Sequence, residues 1–332
     1  MQTVVELAHL ALEWDQRYLE YPDTNQWAHH DIVAMADGRV VTAHPDGTSL
    51  LVFSPDGRHL DTVSTGTVEL HGIANDDPEE DSFWVADPGQ KYTPAEPEYG
   101  WLSQPGRVLN VALSGATVLG ELRQPDLEIY ERKSWSPSAV VRVRSGDGGK
   151  GTETVWVADG YGQSVLHQFS SDGTYLRSID GRDSGLVFDT PHAIITRRRS
   201  GTAELLVADR SNRRIVVLSA DGAFIGAFGA DSLTSPSGLA VMDDGTILVT
   251  ELFGSVAAFS ESGELLGSLG SAVPFEKQRS RWPNQITASG NTVRPPLNPG
   301  AFNSPHGICL TGGTILVTEW MIGGRVVRLA PV

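Results

Sequence analysis

The fold is decided by residues 192–228, which read His192-Ala-Ile-Ile195, Leu205-Leu-Val-Ala-Asp209, Arg214-Ile-Val-Val-Leu218 and Ala223-Phe-Ile-Gly-Ala-Phe228 in series. Ala220-Asp-Gly222 separates the third apolar stretch from the fourth. Asp-Gly between two strand-like stretches is a strong hairpin signal, because the turn needs positive φ angles. The segment therefore predicts four short antiparallel strands.

The same pattern occurs six times along the chain. The first stretch of each copy begins at His30, His71, Ser138, His192, Ser237 or His306. The second stretch ends at His44, Asp87, Asp159, Asp209, Glu251 or Glu319. Six repeats of four strands predict an all-β fold, a six-bladed β-propeller. The approximate blades are 27–66, 67–125, 134–182, 188–230, 233–271 and 303–332.

Residues 1–332 are expected to form a single domain, since the repeat continues without a linker. The sixth repeat ends at Val332 after three strands. The alternating segment Leu10-Ala-Leu-Glu-Trp-Asp15 is predicted to supply the missing strand and so to close the ring. Two insertions, 88–106 and 271–303, are longer than ordinary turns and are predicted to cover the channel mouth.

Composition excludes several classes of function. The formal net charge of −16 disfavours nucleic acid and anionic membranes as partners. Cys309 is the only cysteine, so no intramolecular disulfide can form. No basic and apolar leader is evident at the N-terminus, and a cytoplasmic location is expected. We expect a small-molecule substrate; the oligomeric state is left open.

Histidine at the first position of a repeat indicates a site on the channel axis. His71, His192 and His306 belong to alternate blades, so their side chains should converge about a pseudo-threefold axis. Three imidazoles with one open direction suit catalytic zinc. Mutual structural packing of the three rings is the alternative. His30 opens the first repeat and is a candidate fourth ligand or proton shuttle.

Five segments carry a resemblance to known proteins: Trp156-Val-Ala-Asp-Gly-Tyr161, Thr190-Pro-His-Ala-Ile194, Leu206-Val-Ala-Asp-Arg210, Leu70-His-Gly-Ile73 and Ser304-Pro-His-Gly-Ile308. With these segments the chain, and blades three and four above all, resembles the NHL-repeat propellers of peptidylglycine amidating lyase (peptidyl-α-hydroxyglycine lyase). It implies zinc held by His71, His192 and His306. It also implies that Tyr161 handles a proton and that Arg210 steers the substrate or its developing charge.

The chain also departs from that family. Ala43-His-Pro45 stands where the family has a catalytic arginine, and the family's disulfides are absent. Structural calcium in the family involves the region of Ile32 and Ile73 and an aspartate at the position of Gly307, so calcium is doubtful here. These differences predict a related metal site with a different substrate.

Several other side chains are candidates for the site. A phenol near a cation can act as a base, which supports Tyr161 in proton transfer, although a rim aromatic is the plain alternative. Glu251 and Glu319 could accept hydrogen bonds from the ligand histidines, or could bond only to their loops. From the insertions, Tyr92, Arg281 and Trp282 are predicted to contact the substrate.

Three functions are compatible with these patterns. A zinc-dependent lyase-like enzyme acting on a small polar substrate fits the three-histidine arrangement best. An oxidative enzyme would use four histidines, including His30, to hold Fe²⁺, since imidazole suits both metals. A non-enzymatic NHL interaction scaffold is the third, although a scaffold has little use for histidines aligned on the axis.

Overall fold

Each of the six repeats folds into one antiparallel sheet, and the sheets surround a central channel. In the computed structural model, residues 3–77, 81–95, 97–131, 134–145, 152–273, 277–279 and 281–332 are described. The architecture is the predicted six-bladed β-propeller. Within the described residues, helix is confined to three single turns, Ser114–Ala116, Glu128–Tyr130 and Arg182–Ser184.

The first three blades follow the chain from the innermost strand outward. Blade one contains Ile32–Ala34, Val40–Ala43, Ser49–Phe53 and His59–Ser64. Blade two contains Gly72–Asp77, Ser82–Asp87, Arg107–Ala112 and Thr117–Leu122. Blade three contains Ala139–Ser145, Thr152–Asp159, Val165–Ser170 and Tyr175–Ile179.

The last three blades repeat this order, and the sixth borrows from the other end of the chain. Blade four contains Pro191–Arg199, Thr202–Asp209, Arg214–Ser219 and Phe224–Phe228. Blade five contains Pro236–Val241, Ile247–Glu251, Ser255–Phe259 and Leu265–Gly270. Blade six contains Pro305–Thr311, Thr314–Glu319 and Arg325–Pro331, then Leu10–Asp15 and Thr3–Leu7.

The N-terminal segment closes the ring as predicted, with one addition. Leu10–Asp15 pairs antiparallel with Arg325–Pro331, and Thr3–Leu7 adds a fifth, outermost strand to the same sheet. Leu12 and Trp14 are buried in the apolar layer between blades five and six. The clasp therefore joins the two chain ends through both backbone pairing and apolar burial.

Three short strand pairs lie outside the blades. Trp27–Ala28 pairs with Met321–Ile322, Gln90–Pro94 with Tyr99–Ser103, and Gln285–Ile286 with Thr292–Val293. The last two pairs belong to the two insertions, so each insertion contains a short antiparallel hairpin. Insertion residues 96, 274–276 and 280 lie outside the described residues.

The core consists of apolar layers between neighbouring blades. Between blades three and four, the fully buried Trp156 belongs to one apolar cluster with Val207 and Val216. The alternation of each strand sends one set of side chains to the preceding blade and the other set to the following blade. None of the helical turns in the described part of the chain is long and apolar enough to cross a membrane.

The clasp generates a prediction about stability. Leu12→Ala removes a side chain that is 1% exposed and should lower the free energy of unfolding by about 2–5 kcal/mol. Val4→Ala, in the strand paired beside it, changes a side chain that is 55% exposed and should have an effect within about 0.5 kcal/mol. Urea unfolding measures both. Equal effects would contradict a buried clasp.

Candidate functional site

Three histidines meet on the channel axis, each held from behind by the next blade. The Nδ1 atom of His71 lies 2.6 Å from the carbonyl oxygen of Ser138. The same contact joins His192 to Ser237 at 2.8 Å and His306 to His30 at 2.9 Å. Because a carbonyl only accepts, each Nδ1 carries the hydrogen and each Nε2 is left as a free acceptor.

Close approach of the blades makes these contacts possible. A Cβ added to Gly72 would lie 2.6 Å from the oxygen of Ser138, the same atom that accepts from His71. Any larger residue at that position would push blades two and three apart. Gly72 therefore meets a packing requirement at the point where the His71 imidazole is oriented.

Burial keeps the three imidazoles neutral. It lowers the pKa of His71 from 6.5 to about 3, and it lowers the pKa values of His192 and His306 well below 6.5. The nearby Arg210 guanidinium lowers all three further. A neutral imidazole with its Nε2 lone pair free is the form that binds a metal ion.

The fourth histidine of the cluster is His29 rather than His30. The Nε2 atom of His29 lies 3.1 Å from that of His71, whereas His30 faces away and bonds to Tyr21 at 2.7 Å and Thr42 at 2.9 Å. Neighbouring residues of an extended chain point to opposite sides, so only one of the two can reach the axis. The sequence shows the two adjacent histidines, His29 and His30. The repeat register selected His30, and that choice was wrong. The carbonyl of His30 nonetheless orients His306.

Tyr161 and Arg210 both lie at the cluster, as their positions after strand ends predicted. The Tyr161 hydroxyl is 2.8 Å from Nε2 of His192, 3.0 Å from that of His71 and 3.2 Å from that of His29. Burial raises the pKa of Tyr161, while Arg210 opposes that shift. In the metal-free protein the tyrosine is therefore a neutral phenol that donates to one imidazole.

Arg210 is a cation without a matching anion. Among the described residues it forms no ion pair, its buried Nε has no hydrogen-bond partner, and its Nη2 lies 3.3 Å from the Ser237 hydroxyl. Burial lowers its pKa, and contact with Tyr161 opposes that shift. An arginine left in this state is a ready partner for a carboxylate or another anion.

Glu251 and Glu319 do not contact the ligand histidines, contrary to one of the two alternatives. Glu251 accepts hydrogen bonds from the backbone N–H groups of Thr234 and Ser235. Glu319 accepts from the N–H of Ser304 and is paired with Arg325. Both carboxylates therefore hold the loops that lead into the innermost strands. Backbone carbonyls, rather than these carboxylates, accept the hydrogen bonds from the ligand histidines.

A cavity of about 220 Å³ opens directly above the cluster. Its inner end is formed by His29, Tyr161 and Arg210, and its walls include Leu252, Pro88, Trp27, Tyr92, Trp101 and Trp320. A buried ion pair between Lys91 and Glu69, 2.9 Å long, also lines it. The walls are thus mainly aromatic, and the unmatched charge at the floor is positive.

The insertion 88–106 covers one side of this cavity. Its hairpin places Tyr92 against Trp27, with ring centroids 4.6 Å apart and the rings stacked. Trp101 packs edge-on against Tyr92 at 4.7 Å and is 54% exposed. Tyr92 is therefore in a position to contact a ligand in the cavity, as the sequence suggested.

The insertion 271–303 lies one layer further out. Arg281 pairs with Glu98 of the first insertion at 2.5 Å, and Trp282 packs against Trp320 at 5.7 Å and Phe253 at 5.2 Å. Neither Arg281 nor Trp282 lines the cavity. The substrate contacts predicted for these two residues therefore stay a prediction; in the structure they pack behind residues that form the wall.

The donor set fits one small metal ion. The candidate ligand atoms of His29, His71, His192 and His306 all lie within 4.8 Å of one another. The Nε2 atom of His306 is 3.2 Å from that of His71. Zinc–nitrogen bonds of about 2.0–2.1 Å in a tetrahedron place neighbouring nitrogens roughly 3.3 Å apart. Two distances in the cluster, His306–His71 at 3.2 Å and His29–His71 at 3.1 Å between Nε2 atoms, are close to this value.

The position associated with calcium is filled differently. A Cβ added to Gly307 would lie 2.4 Å from Oδ1 of Asp31, so a blade-one carboxylate takes up that space. The same oxygen accepts the N–H of Ile32 at 2.8 Å, and burial raises the pKa of Asp31 to about 7. A partly protonated carboxyl held by backbone donors differs from the charged oxygen cage that calcium prefers.

Comparison with known proteins shows the fold but not a family. No protein-family model and no curated protein matches the chain. A streptogramin B lyase is 13% identical, with 97% of this chain and 98% of that chain covered and a TM-score of 0.58. Virginiamycin B lyase from Staphylococcus aureus is 15% identical, with 97% of this chain and 100% of that chain covered and a TM-score of 0.54. A protein of unknown function from Bacteroides thetaiotaomicron is 13% identical over 95% and 72%, with a TM-score of 0.61. At these identities the chain shares their propeller fold, and membership of the amidating lyases stays a resemblance.

Proposed function

We propose that this protein is a zinc-dependent lyase whose reaction takes place at the inner end of the aromatic cavity. The observation that carries the proposal is the convergence of three Nε2 atoms, from His71, His192 and His306, each set by a bond from Nδ1 to the next blade. Structural histidines need no shared tautomer and no common point of convergence. A catalytic metal site needs both.

The proposed proton carrier is the Tyr161 hydroxyl. Zinc, when bound, would polarise a substrate oxygen and favour ionisation of a nearby phenol. Tyr161 touches two of the three ligand histidines and lines the cavity, so its oxygen can reach both the cluster and a bound substrate. In an elimination, Tyr161 Oη would take the proton from the substrate carbon as the leaving group departs.

Arg210 and the aromatic wall define the kind of substrate. The unmatched guanidinium would bind a carboxylate or an anion that develops in the reaction. Trp27, Tyr92 and Trp320 would pack against an apolar or planar part of the molecule. A small polar substrate with an anionic end and an apolar body suits both features. On blade one, His44 and Pro45 stand in place of the amidating lyases' arginine, which supports a substrate different from theirs.

The structural relatives give independent support for lyase chemistry. Two of them are named lyases, and a catalytically inactive histidine-to-alanine variant of virginiamycin B lyase has been solved with quinupristin. That variant shares 13% identity with this chain, at a TM-score of 0.56 and with 97% and 100% coverage. A histidine-dependent lyase is therefore known on the same fold.

A four-histidine iron enzyme is the second candidate. It is favoured by one observation, the presence of His29 as a fourth nitrogen donor in the cluster. Imidazole binds iron as well as zinc, so the donor set alone does not choose between them. Metal analysis of protein purified without added metal separates the two: zinc supports the lyase, and iron supports an oxidative enzyme.

Product mass tests the reaction class directly. Metal-loaded protein would be incubated with a panel of small carboxylates, esters and streptogramin B compounds, and the products followed by mass spectrometry. A lyase adds no atoms, so the total mass of its product or products equals that of the substrate. Fragments that have gained water or oxygen would overturn the lyase assignment.

The first prediction concerns metal content. His71→Ala, His192→Ala and His306→Ala should each remove most of the bound metal, because a site built on three oriented imidazoles loses affinity when one is missing. Elemental analysis after dialysis measures this. His59→Ala, which changes an exposed histidine outside the cluster, is the control. Full metal content in the triple alanine variant would refute the site.

The second prediction concerns Tyr161. Tyr161→Phe should keep the metal and lower turnover by about 10²- to 10⁴-fold, the usual contribution of a proton-transferring group. Zinc addition should also produce the ultraviolet difference band of tyrosinate in the wild type but not in the variant. An identical difference band in both proteins would show that another tyrosine ionises.

The third prediction concerns acid stability of the metal-free protein. The folded-state pKa values of the cluster histidines are lowered, so the unfolded chain binds more protons once the pH falls below about 6.5. Stability should therefore fall as the pH decreases from about 6.5 to 4, by up to about 1.4 kcal/mol per pH unit for each histidine. Urea unfolding at several pH values measures the slope. His192→Gln should reduce it and the exposed His59→Gln should not; equal slopes in the three proteins would contradict the neutral cluster.

A further inference from the structure

His29 lies outside the repeated strand pattern that contains the other three histidines. His71, His192 and His306 stand at the starts of innermost strands, within the repeat. His29 follows the two-residue strand Trp27–Ala28, which pairs only with Met321–Ile322, and it precedes blade one. It thus reaches the cluster from the cavity side.

His29 is also the least constrained of the four. Its Nδ1 has no hydrogen-bond partner among the residues that the structure describes, whereas the other three are each bonded to a carbonyl. It is partly exposed, while the others are 2% exposed. Of the four, His29 alone is part of the cavity wall.

A structural metal site and a catalytic metal site require different positions of His29. With His29 in place, four imidazole nitrogens would be available to one metal ion, and a metal held by four protein ligands is structural rather than catalytic. A reaction needs one direction open to the substrate. His29 is the only member of the cluster that can leave without breaking a hydrogen bond to the backbone.

Resting on the proposed metal site, we propose that His29 is an exchangeable fourth ligand that closes the site until a substrate oxygen or anion replaces it. The exchange breaks the bond from its Nε2 to the metal and forms one from the entering donor, with no change of oxidation state. In the closed arrangement, Nε2 of His29 lies 3.2 Å from the Tyr161 hydroxyl. The neutral imidazole released into the cavity keeps its lone pair and stays near Tyr161.

The surroundings allow this movement as a side-chain rotation. Trp27 is stacked on Tyr92, and His30 is anchored by Tyr21 and Thr42, so the backbone is held on both sides of His29. The ring lies next to the cavity of about 220 Å³ and against Trp320, at a centroid distance of 5.5 Å. The imidazole can therefore swing without moving a strand.

Cobalt(II) spectroscopy tests the proposal without a substrate. Cobalt-loaded wild type, His29→Ala, His29→Gln and the control His59→Ala would be compared by visible absorption and by titration with azide, a small anion that occupies an open position. Wild type and His59→Ala should show the intense bands of four-coordinate cobalt, which change as azide displaces His29. His29→Ala should hold cobalt with shifted bands, because water takes the place of an imidazole nitrogen.

Azide affinity gives the size of the effect. If His29 is bound in all but about a tenth of molecules, its removal should tighten azide binding about tenfold.

Full cobalt content with an unchanged spectrum and unchanged azide affinity in His29→Ala would overturn the proposal and leave the three-histidine site intact. Loss of cobalt from both His29 variants would also overturn it, by showing an obligatory ligand. Should His29→Ala fail to fold, His29→Gln and the wild-type azide titration decide the matter. No cobalt in the wild type would instead refute the metal site itself.

Discussion

The site depends on one repeated interaction, the hydrogen bond from the Nδ1 of an even-blade histidine to the first carbonyl of the next odd blade. It occurs at His71, His192 and His306, with Ser138, Ser237 and His30 supplying the oxygens. The bond ties neighbouring blades together at the axis, and it also fixes which nitrogen of each imidazole is free. The same contact therefore links adjacent blades and sets which imidazole nitrogen faces the cluster.

Electrostatics divide the site into a neutral cluster and a positive floor. Burial removes the charge from the histidines, so none repels an entering cation strongly. Lys91 is neutralised by Glu69, which leaves Arg210 as the unmatched charge within the described cavity wall. In a protein with a formal net charge of −16, this is a local exception that favours an anionic ligand.

The two insertions form an inner and an outer layer beside the cavity. The first, 88–106, forms the wall with Tyr92 and Trp101, and the second, 271–303, supports that wall through Arg281 and Trp282. Aromatic stacking on Trp27 joins the wall to the segment that carries His29. The cavity wall and the approach to the cluster thus belong to one aromatic assembly, to which the first insertion contributes Tyr92 and Trp101.

The sequence determined the propeller, its closure and three of the four histidines, because a repeated strand pattern fixes both the number of blades and the equivalent positions on them. Tyr161 and Arg210 were selected by the family resemblance, and the register placed them after strand ends at the channel mouth. Local pattern could not choose between His29 and His30, since that choice depends on which side of an extended segment faces the axis. Nor could it reveal that carbonyls, rather than Glu251 or Glu319, orient the imidazoles, or that Arg281 would pair with Glu98. Those contacts join residues far apart in the chain, and only the packing of one blade or loop against another decides them.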